Sequence, residues 1–450
     1  MNGPEPTERA VDVLVVGAGP AGLAAAARLA AAGAGRVEVL ERDAAPGGLP
    51  RLCPGTGFGA DARGRPLDGP GHARRAVGAA VRAGAALRTG VSATGWAAPL
   101  LLEVAAPTGP ETVRARAVVL ATGARERSRA ARLLPGTRAE GVLTTGGLLR
   151  TLEVFGPRPE RIGRRAVVLG DDPAARHAVR LLRRAGVAVA AVVCPGPRAA
   201  VGAVGAPVLA ETVVTELTGR GRLASVVVRG PDGRSRTLAC DTLVLTGDWV
   251  AEHDVARAAG LPLVPGGRGP VTDGALRTAA PGVFAAGGLL GGGGPAVRAA
   301  AEGRAAAGAV LAFLAGEAPG AAQGPPVVAA GALARVRPDL LGPEPGPLLV
   351  RAGRVLVRPV LTVAQDGRVL RLDRLPAALL PWRPLRLGPE WTRGADTDGG
   401  PVEVGADDGW GGRRARGYRD GSGRRAGGGG GEGVTPGPGL GSFGRSRGRA

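Results

Sequence analysis

At 450 residues the chain can build two or three cores, yet it has no Lys: Arg supplies all 58 basic residues against 38 acidic ones, a net charge of +20. An excess of Ala, Gly, Pro and Arg is what GC-rich coding produces, and without a basic helix interleaved with aromatics the charge does not point to nucleic acid. Three cysteines, Cys53, Cys194 and Cys240, odd in number and far apart, exclude a disulfide framework and a zinc site, so no metal is expected.

The opening MNGPEPTERA (1–10) is a polar extension without the apolar centre of a signal peptide, and no later run reaches about 18 uninterrupted apolar residues, so a soluble cytoplasmic protein with no membrane contact is expected. Residues 11–22 read VDVLVVGAGPAG: a strand apolar enough to be buried on both faces, a glycine turn, then an Ala-rich helix. Gly17, Gly19 and Gly22 fill GxGxxG, the turn that lets backbone approach a pyrophosphate while the helix N-terminus presents its free N–H groups. The next strand (37–40) delivers Glu41, nineteen residues beyond Gly22, where a carboxylate accepts from a ribose hydroxyl. Together these features predict a dinucleotide site.

A loop rich in Gly and Pro follows, with Gly47 and Gly48 placed to let the chain pass close to a cofactor. Arg-rich helical sequence at 71–83 precedes strand-like runs at 87–96, 101–105 and 112–115, and then a strand at 117–121 ending in Thr122 and Gly123. The order recurs: strand 166–170, helix 174–184, a hairpin from 224–229 and 236–239, and LVLTG at 243–247 echoing VLATG at 119–123. This duplication predicts two related α/β units. LRTAAPGVFAAGG (276–288) brings a further strand, and a long Ala-rich helix follows from about 295 to 314. Short β-like runs around turn residues predict a small β-rich domain, and from Gly405 onward apolar side chains almost vanish, so a disordered tail is expected.

GAGPAG at 17–22, the Glu41 to Gly48 spacing, ATG at 121–123 and TxxPGVFAAG at 278–287 together resemble the two-dinucleotide-domain flavoproteins, the superfamily of pyridine nucleotide-disulfide oxidoreductases and thioredoxin reductases. The resemblance implies an α/β protein with a Rossmann-like FAD domain (11–158 and 249–317), an inserted NAD(P)-type Rossmann-like domain (159–248), the β-rich domain (325–404) and the tail (405–450). It implies FAD as cofactor, with NAD(P)H as a further possibility, and hydride transfer to and from flavin N5. ATGARER (121–127) is similar to the flavoprotein subunits of amine and amino-acid dehydrogenases such as opine oxidase, sarcosine oxidase and hydrogen cyanide synthase. The expected partners are therefore a small-molecule substrate and an electron-acceptor protein or partner subunit.

By the same carry-over, Gly17, Gly19, Ala21 and Gly22 hold the pyrophosphate, Glu41 the ribose, Val91 flanks the adenine, and Gly48, Thr122 and Gly123 pass close to the cofactor. Gly287 and Gly288 belong to the second flavin motif, where Gly288 replaces the usual Asp or Asn. Losing one such hydrogen bond costs on the order of 1 kcal/mol. Ala296 and Val297 open the helix whose positive dipole end would face the flavin pyrimidine. The second fingerprint departs further, since Asp171 and Asp172 stand at its turn. A carboxylate there repels a phosphate by roughly 4 kcal/mol at 4 Å and an effective dielectric of 20, which leaves a working or a vestigial nicotinamide site open. With no second cysteine beside Cys53, a disulfide relay is excluded, but Cys53 could act as a single thiol if Arg51 lowered its pKa. His253 could face the substrate cavity, Glu126 and Arg127 could bind substrate or brace a domain interface, and His72, His177, Cys194 and Cys240 read as structural.

Overall fold

The structure is a computed structural model that describes residues 7–197, 205–266 and 268–408. Its helices, in chain order, are α1 (Pro20–Ala31), α2 (Gly69–Arg82), α3 (Thr145–Phe155), α4 (Pro159–Ile162), α5 (Pro173–Arg184), α6 (Asp254–Ala258) and α7 (Ala296–Leu314). Apolar runs such as VLVV and AVVL have no polar face to offer water, and they lie in the middle of parallel sheets covered by helices.

The first sheet runs Ala86–Thr89, Val37–Glu41, Val13–Val16, Ala117–Leu120, Val283–Ala285, all parallel. Helices α1 and α7 cross closely over it: at Gly303 a side chain would collide with the Ala21 carbonyl, so the crossing needs glycine. The chain enters this sheet early, leaves it after Leu120, and returns only with Val283–Ala285. The second sheet, also parallel, runs Val142–Thr144, Thr242–Leu245, Arg165–Leu169, Ala188–Val193, Val208–Leu209. Its edge strand Val142–Thr144 lies upstream of residue 159, the point at which the sequence places the start of this unit. A three-residue strand is too short to show a period in the sequence. Each unit carries an antiparallel three-stranded meander, Ser92–Ala98 with Leu101–Ala106 and Gly109–Arg114, and Val213–Arg220 with Arg222–Arg229 and Ser235–Ala239. Thr7–Ala10, inside the polar extension, adds to the first meander alongside Gly109–Arg114.

The β-rich segment forms two sheets, Val327–Gly331, Val402–Asp408, Pro359–Gln365, Arg368–Arg374 and Leu333–Arg337, Leu348–Ala352, Leu385–Leu387. The expected tail therefore starts too early: residues 405–408 end a strand, with 405–406 paired on both sides, to Val327–Gly331 and Pro359–Gln365, and 407–408 paired to the latter alone, and Ala406 is buried there despite its polar neighbours. Residues 409–450 lie outside the described residues. Trp391 anchors this core, 1% exposed, with its indole N–H donating to the Gly346 carbonyl at 2.9 Å. Trp391→Ala is expected to cost about 3–5 kcal/mol through the cavity it leaves, read as a lower urea midpoint; a change under about 0.5 kcal/mol would show that this domain contributes no cooperative core.

Candidate functional site: a glycine cradle beside two unlike helix N-termini

The first strand ends at Gly17, whose positive φ of 105° and contact with the Ala121 backbone admit no side chain: a Cβ would lie 2.5 Å from the Ala121 oxygen. At Gly22 a Cβ would penetrate the Gly17 carbonyl, so helix and turn touch backbone to backbone. Gly19 differs, since nothing lies within 4 Å of the place its Cβ would take. Two more segments close on this ledge. A Cβ on Gly48 would sit 2.9 Å from the Gly19 Cα, and one on Gly287 would sit 2.6 Å from the Ala21 Cβ. Gly19, the N-cap of α1, has no side chain to accept from the first-turn N–H groups, so these are free to bind an anion. Gly17, Gly19, Ala21, Gly22, Gly48 and Gly287 thus converge from three parts of the chain on one open helix N-terminus. The cradle fits the pyrophosphate of FAD.

Glu41 ends its strand buried, with Oε2 accepting from the Ala18 N–H at 3.0 Å and Oε1 from the Asp43 N–H at 2.9 Å. The carboxylate is held in place at the sheet edge, with lone pairs left for a hydroxyl. Val91 is set beside it by its N–H, which donates to the Glu41 carbonyl at 2.9 Å. Thr122 Oγ1 donates to the Glu252 carbonyl at 2.6 Å and the Gly123 carbonyl accepts from the Glu252 N–H at 2.9 Å, so this pair clasps the strand Trp249–Ala251 to Ala124–Glu126 at the crossing between sheets. Gly288 lies against that backbone, where a Cβ would be 3.3 Å from the Ala124 nitrogen, so the missing acid leaves room for a close approach of chains. Ala296 is buried at the first turn of α7, while Val297 stays 48% exposed and touches the Gly59 side of a hairpin.

The N-terminus of α5 has the opposite character. Asp172 caps it: Oδ1 accepts from the Ala174 N–H at 3.1 Å and from Thr246 Oγ1 at 3.1 Å, and the Trp249 indole N–H lies beside the same carboxylate. Burial, together with the Asp171 charge, holds the Asp172 carboxyl above the usual range despite these donors. Trp249 also covers the glycines before α7, since a Cβ on Gly292 would meet its Cβ at 2.6 Å. The anion position that a nicotinamide dinucleotide would use is occupied by the protein's own carboxylate. Trp249 and Glu302, whose Oε2 accepts from the Gly287 N–H at 3.0 Å, escape a reading based on motifs. The signals that could have found them are the rarity of Trp in a chain that is 2% aromatic and a lone acid inside an Ala-rich helix.

The nucleophile and base candidates are elsewhere engaged. Cys53 is buried with its thiol donating to the Leu49 carbonyl at 3.4 Å, and burial, reinforced by the Glu126 charge, pushes its pKa up to about 12. Arg51 does not relieve it, because that guanidinium pairs with Glu153 and Asp43. Cys53 is thus a protonated packing residue, contrary to the activated thiol considered above. It should react with a thiol reagent at neutral pH far more slowly than an exposed cysteine of ordinary pKa, and fast stoichiometric labelling of the folded protein would overturn this placement. His253 is likewise engaged within the fold: it is buried, Nδ1 donates to the Ala251 carbonyl at 2.8 Å and Nε2 accepts from Arg257, which fixes the ring at the start of α6. Glu126 accepts from the Gly146 N–H at 3.0 Å with Oε2, while its buried Oε1 has no partner, and burial raises its carboxyl pKa. Arg127 lies 3.4 Å from Asp248, beside the interdomain crossing. Cys194 and Cys240 are buried and free, with thiols pushed up to about 11 by burial, and burial lowers the imidazole pKa of both His72 and His177.

Comparison with known proteins agrees with this geometry. Residues 11–303 match the family described as pyridine nucleotide-disulphide oxidoreductase. An opine oxidase subunit from Agrobacterium tumefaciens (strain Ach5) is 36% identical over 156 residues, which span 33% of this chain and 30% of that protein, so the likeness covers less than a third of the relative. In structure the chain is similar to T. acidophilum thioredoxin reductase, with a TM-score of 0.57 and 20% identity over 69% of this chain and 100% of that one. It is also similar to L-proline dehydrogenase from P. horikoshii, with a TM-score of 0.50 and 20% identity over 72% of this chain and 62% of that one. With an open cradle for one dinucleotide, two parallel sheets and a match that spans both, the chain belongs to the pyridine nucleotide-disulphide oxidoreductase family.

Proposed function

We propose that this protein oxidises a small amine-like or amino-acid-like molecule on FAD, with neither a redox-active disulfide nor NAD(P)H as hydride donor. The observation that carries this reading is the contrast between the two helix N-termini. The first-turn amides of α1 face open space at Gly19, whereas α5 is sealed by Asp172. Bound FAD supplies hydride acceptance at N5. The chain's part is to hold the pyrophosphate on the Gly17 to Gly22 turn, to fix the ribose at Glu41, and to bring the open first turn of α7 near Ala296 and Val297 to the ring. A positive dipole end there stabilises a developing negative charge by about 0.3–2 kcal/mol. The free, buried state of all three cysteines supports a route without a disulfide.

The opine oxidase relative is by its name one subunit of an oxidase, which favours a second element of the reading: electrons leave to a partner subunit or acceptor protein. No described helix is long and apolar enough to cross a membrane, and we place the protein in the cytoplasm. The test is anaerobic mixing of the FAD-loaded protein with NADH, NADPH and a panel of amines and amino acids. Bleaching of the flavin by a member of the panel, with both nicotinamides silent, is the expected result. Rapid bleaching by either nicotinamide would overturn it.

A further inference from the structure

A cleft open to solvent lies between the glycine segment before α7 and the β-rich domain, with Gly287, Pro295 and Val350 in its walls. Its charged lining is strongly one-sided: Arg298, Arg335, Arg337 and Arg351 face a single carboxylate, Glu302. Arg335 and Arg337 alternate along one strand and so share a face, and Arg335 is directly opposite Arg351 in the antiparallel register. Like charges directly opposed in this way destabilise a sheet. Arg298 stands in the first turn of α7, where a cation also opposes the helix dipole.

The protein satisfies these groups only in part, Arg335 Nη1 donating to the Arg268 carbonyl at 3.2 Å. Arg335 and Arg337 side chains are 11% and 12% exposed, yet Arg335 Nε and Nη2 and Arg337 Nε are buried with no hydrogen-bond partner. Arg335 Nη2 lies 3.6 Å from Asp339 and Arg337 Nη1 3.5 Å from Glu302, both long for a hydrogen bond. Burial, added to by neighbouring guanidiniums, pushes Arg335 down to about 10 and lowers Arg351 as well. Buried guanidinium nitrogens left without an acceptor are expensive, and an anion is what would complete them. Counting Asp339 behind Arg335, the four guanidiniums retain an excess of two positive charges.

We propose that this cleft binds a small dicarboxylate, with one carboxylate on the Arg335 and Arg351 pair and the other toward Arg298 and Arg337. The spread of the arginines over α7 and two strands favours two separated anionic groups over one compact ion such as phosphate. The inference rests on the reading that the electron donor is a small molecule, and it restricts that donor to amines bearing carboxylates.

The experiment is calorimetric titration of the FAD-loaded full-length protein with succinate, glutarate and inorganic phosphate at low chloride, repeated on Arg351→Met and Arg335→Met. The expected result is saturable one-to-one binding of a dicarboxylate, about tenfold or more tighter than phosphate and about tenfold or more weaker in each variant, with FAD affinity unchanged in Arg351→Met. Three results would overturn the proposal: no saturable dicarboxylate binding, phosphate binding as tightly, or dicarboxylate binding only when FAD is absent, which would assign the arginines to the cofactor. Binding needs no turnover, so the two readings fail separately. Dicarboxylate binding without bleaching by any amine sinks only the donor reading, and bleaching without dicarboxylate binding sinks only this one.

Discussion

Gly19→Ala should leave the folded protein as stable as the parent and lower its affinity for FAD by about tenfold or more, while Gly22→Ala should remove FAD binding and much of the stability together. The separation follows from what each new methyl group would meet. At Gly19 the backbone φ of −80° suits Ala and nothing occupies the space within 4 Å, so the free protein has no reason to move. That same space is the approach to the free N–H groups at the start of α1, and loss of one or two phosphate hydrogen bonds to charged groups, worth about 1.5–3 kcal/mol each, gives the predicted fall. At Gly22 the methyl would overlap the Gly17 carbonyl, so turn and helix must part; strain of this kind costs about 1–3 kcal/mol or more before any ligand is added. Fluorescence titration of flavin against melting temperature separates the two effects. Unchanged FAD affinity in Gly19→Ala would remove the cradle as the cofactor site.

Asp172→Gly should convert the protein into one whose flavin is bleached by NADH or NADPH, or at least raise nicotinamide affinity by two to three orders of magnitude, since the repulsion removed is roughly 4 kcal/mol at an effective dielectric of 20. The cost to stability is small, on the order of a few tenths of a kcal/mol for an N-cap replaced by Gly. Asp172→Asn separates charge from shape, because an amide oxygen can still accept from Ala174 and Thr246. Burial raises the Asp172 carboxyl pKa, so the folded state penalises its ionised form, and the parent loses stability as pH rises through that folded value. Asp172→Asn should therefore match the parent near pH 4 and exceed it in melting temperature near pH 8. Equal melting at both pH values would show that the carboxylate is not desolvated, and continued silence toward nicotinamides in Asp172→Gly would place the obstruction in the Trp249 packing.

The glycines, the terminal acid of the second strand and the long helix after Pro295 were legible in the residues because each expresses a local rule: a turn that admits no Cβ, a run buried on both faces, an amphipathic or small-residue helix. The duplication of strand, helix, meander and strand was legible for the same reason. What a linear reading could not supply was which side chains find each other across distant segments. Cys53 and His253 looked available because residue type alone does not say which local groups a side chain will meet: Leu49 accepts from the Cys53 thiol, Ala251 and Arg257 engage the His253 ring, and the distant Glu126 adds to the burial of Cys53, which only the folded backbone decides. Asp172 was readable as a charge in the wrong place, but its use as the cap of α5 beneath Trp249 depends on two sheets coming together. The arginine cleft is the plainest case. Arg298, Arg335, Arg337 and Arg351 do not stand out in a chain full of arginine, and only the register of two strands beside α7 gathers the four charges into one cationic site, because desolvation and electrostatic repulsion depend on distance in space.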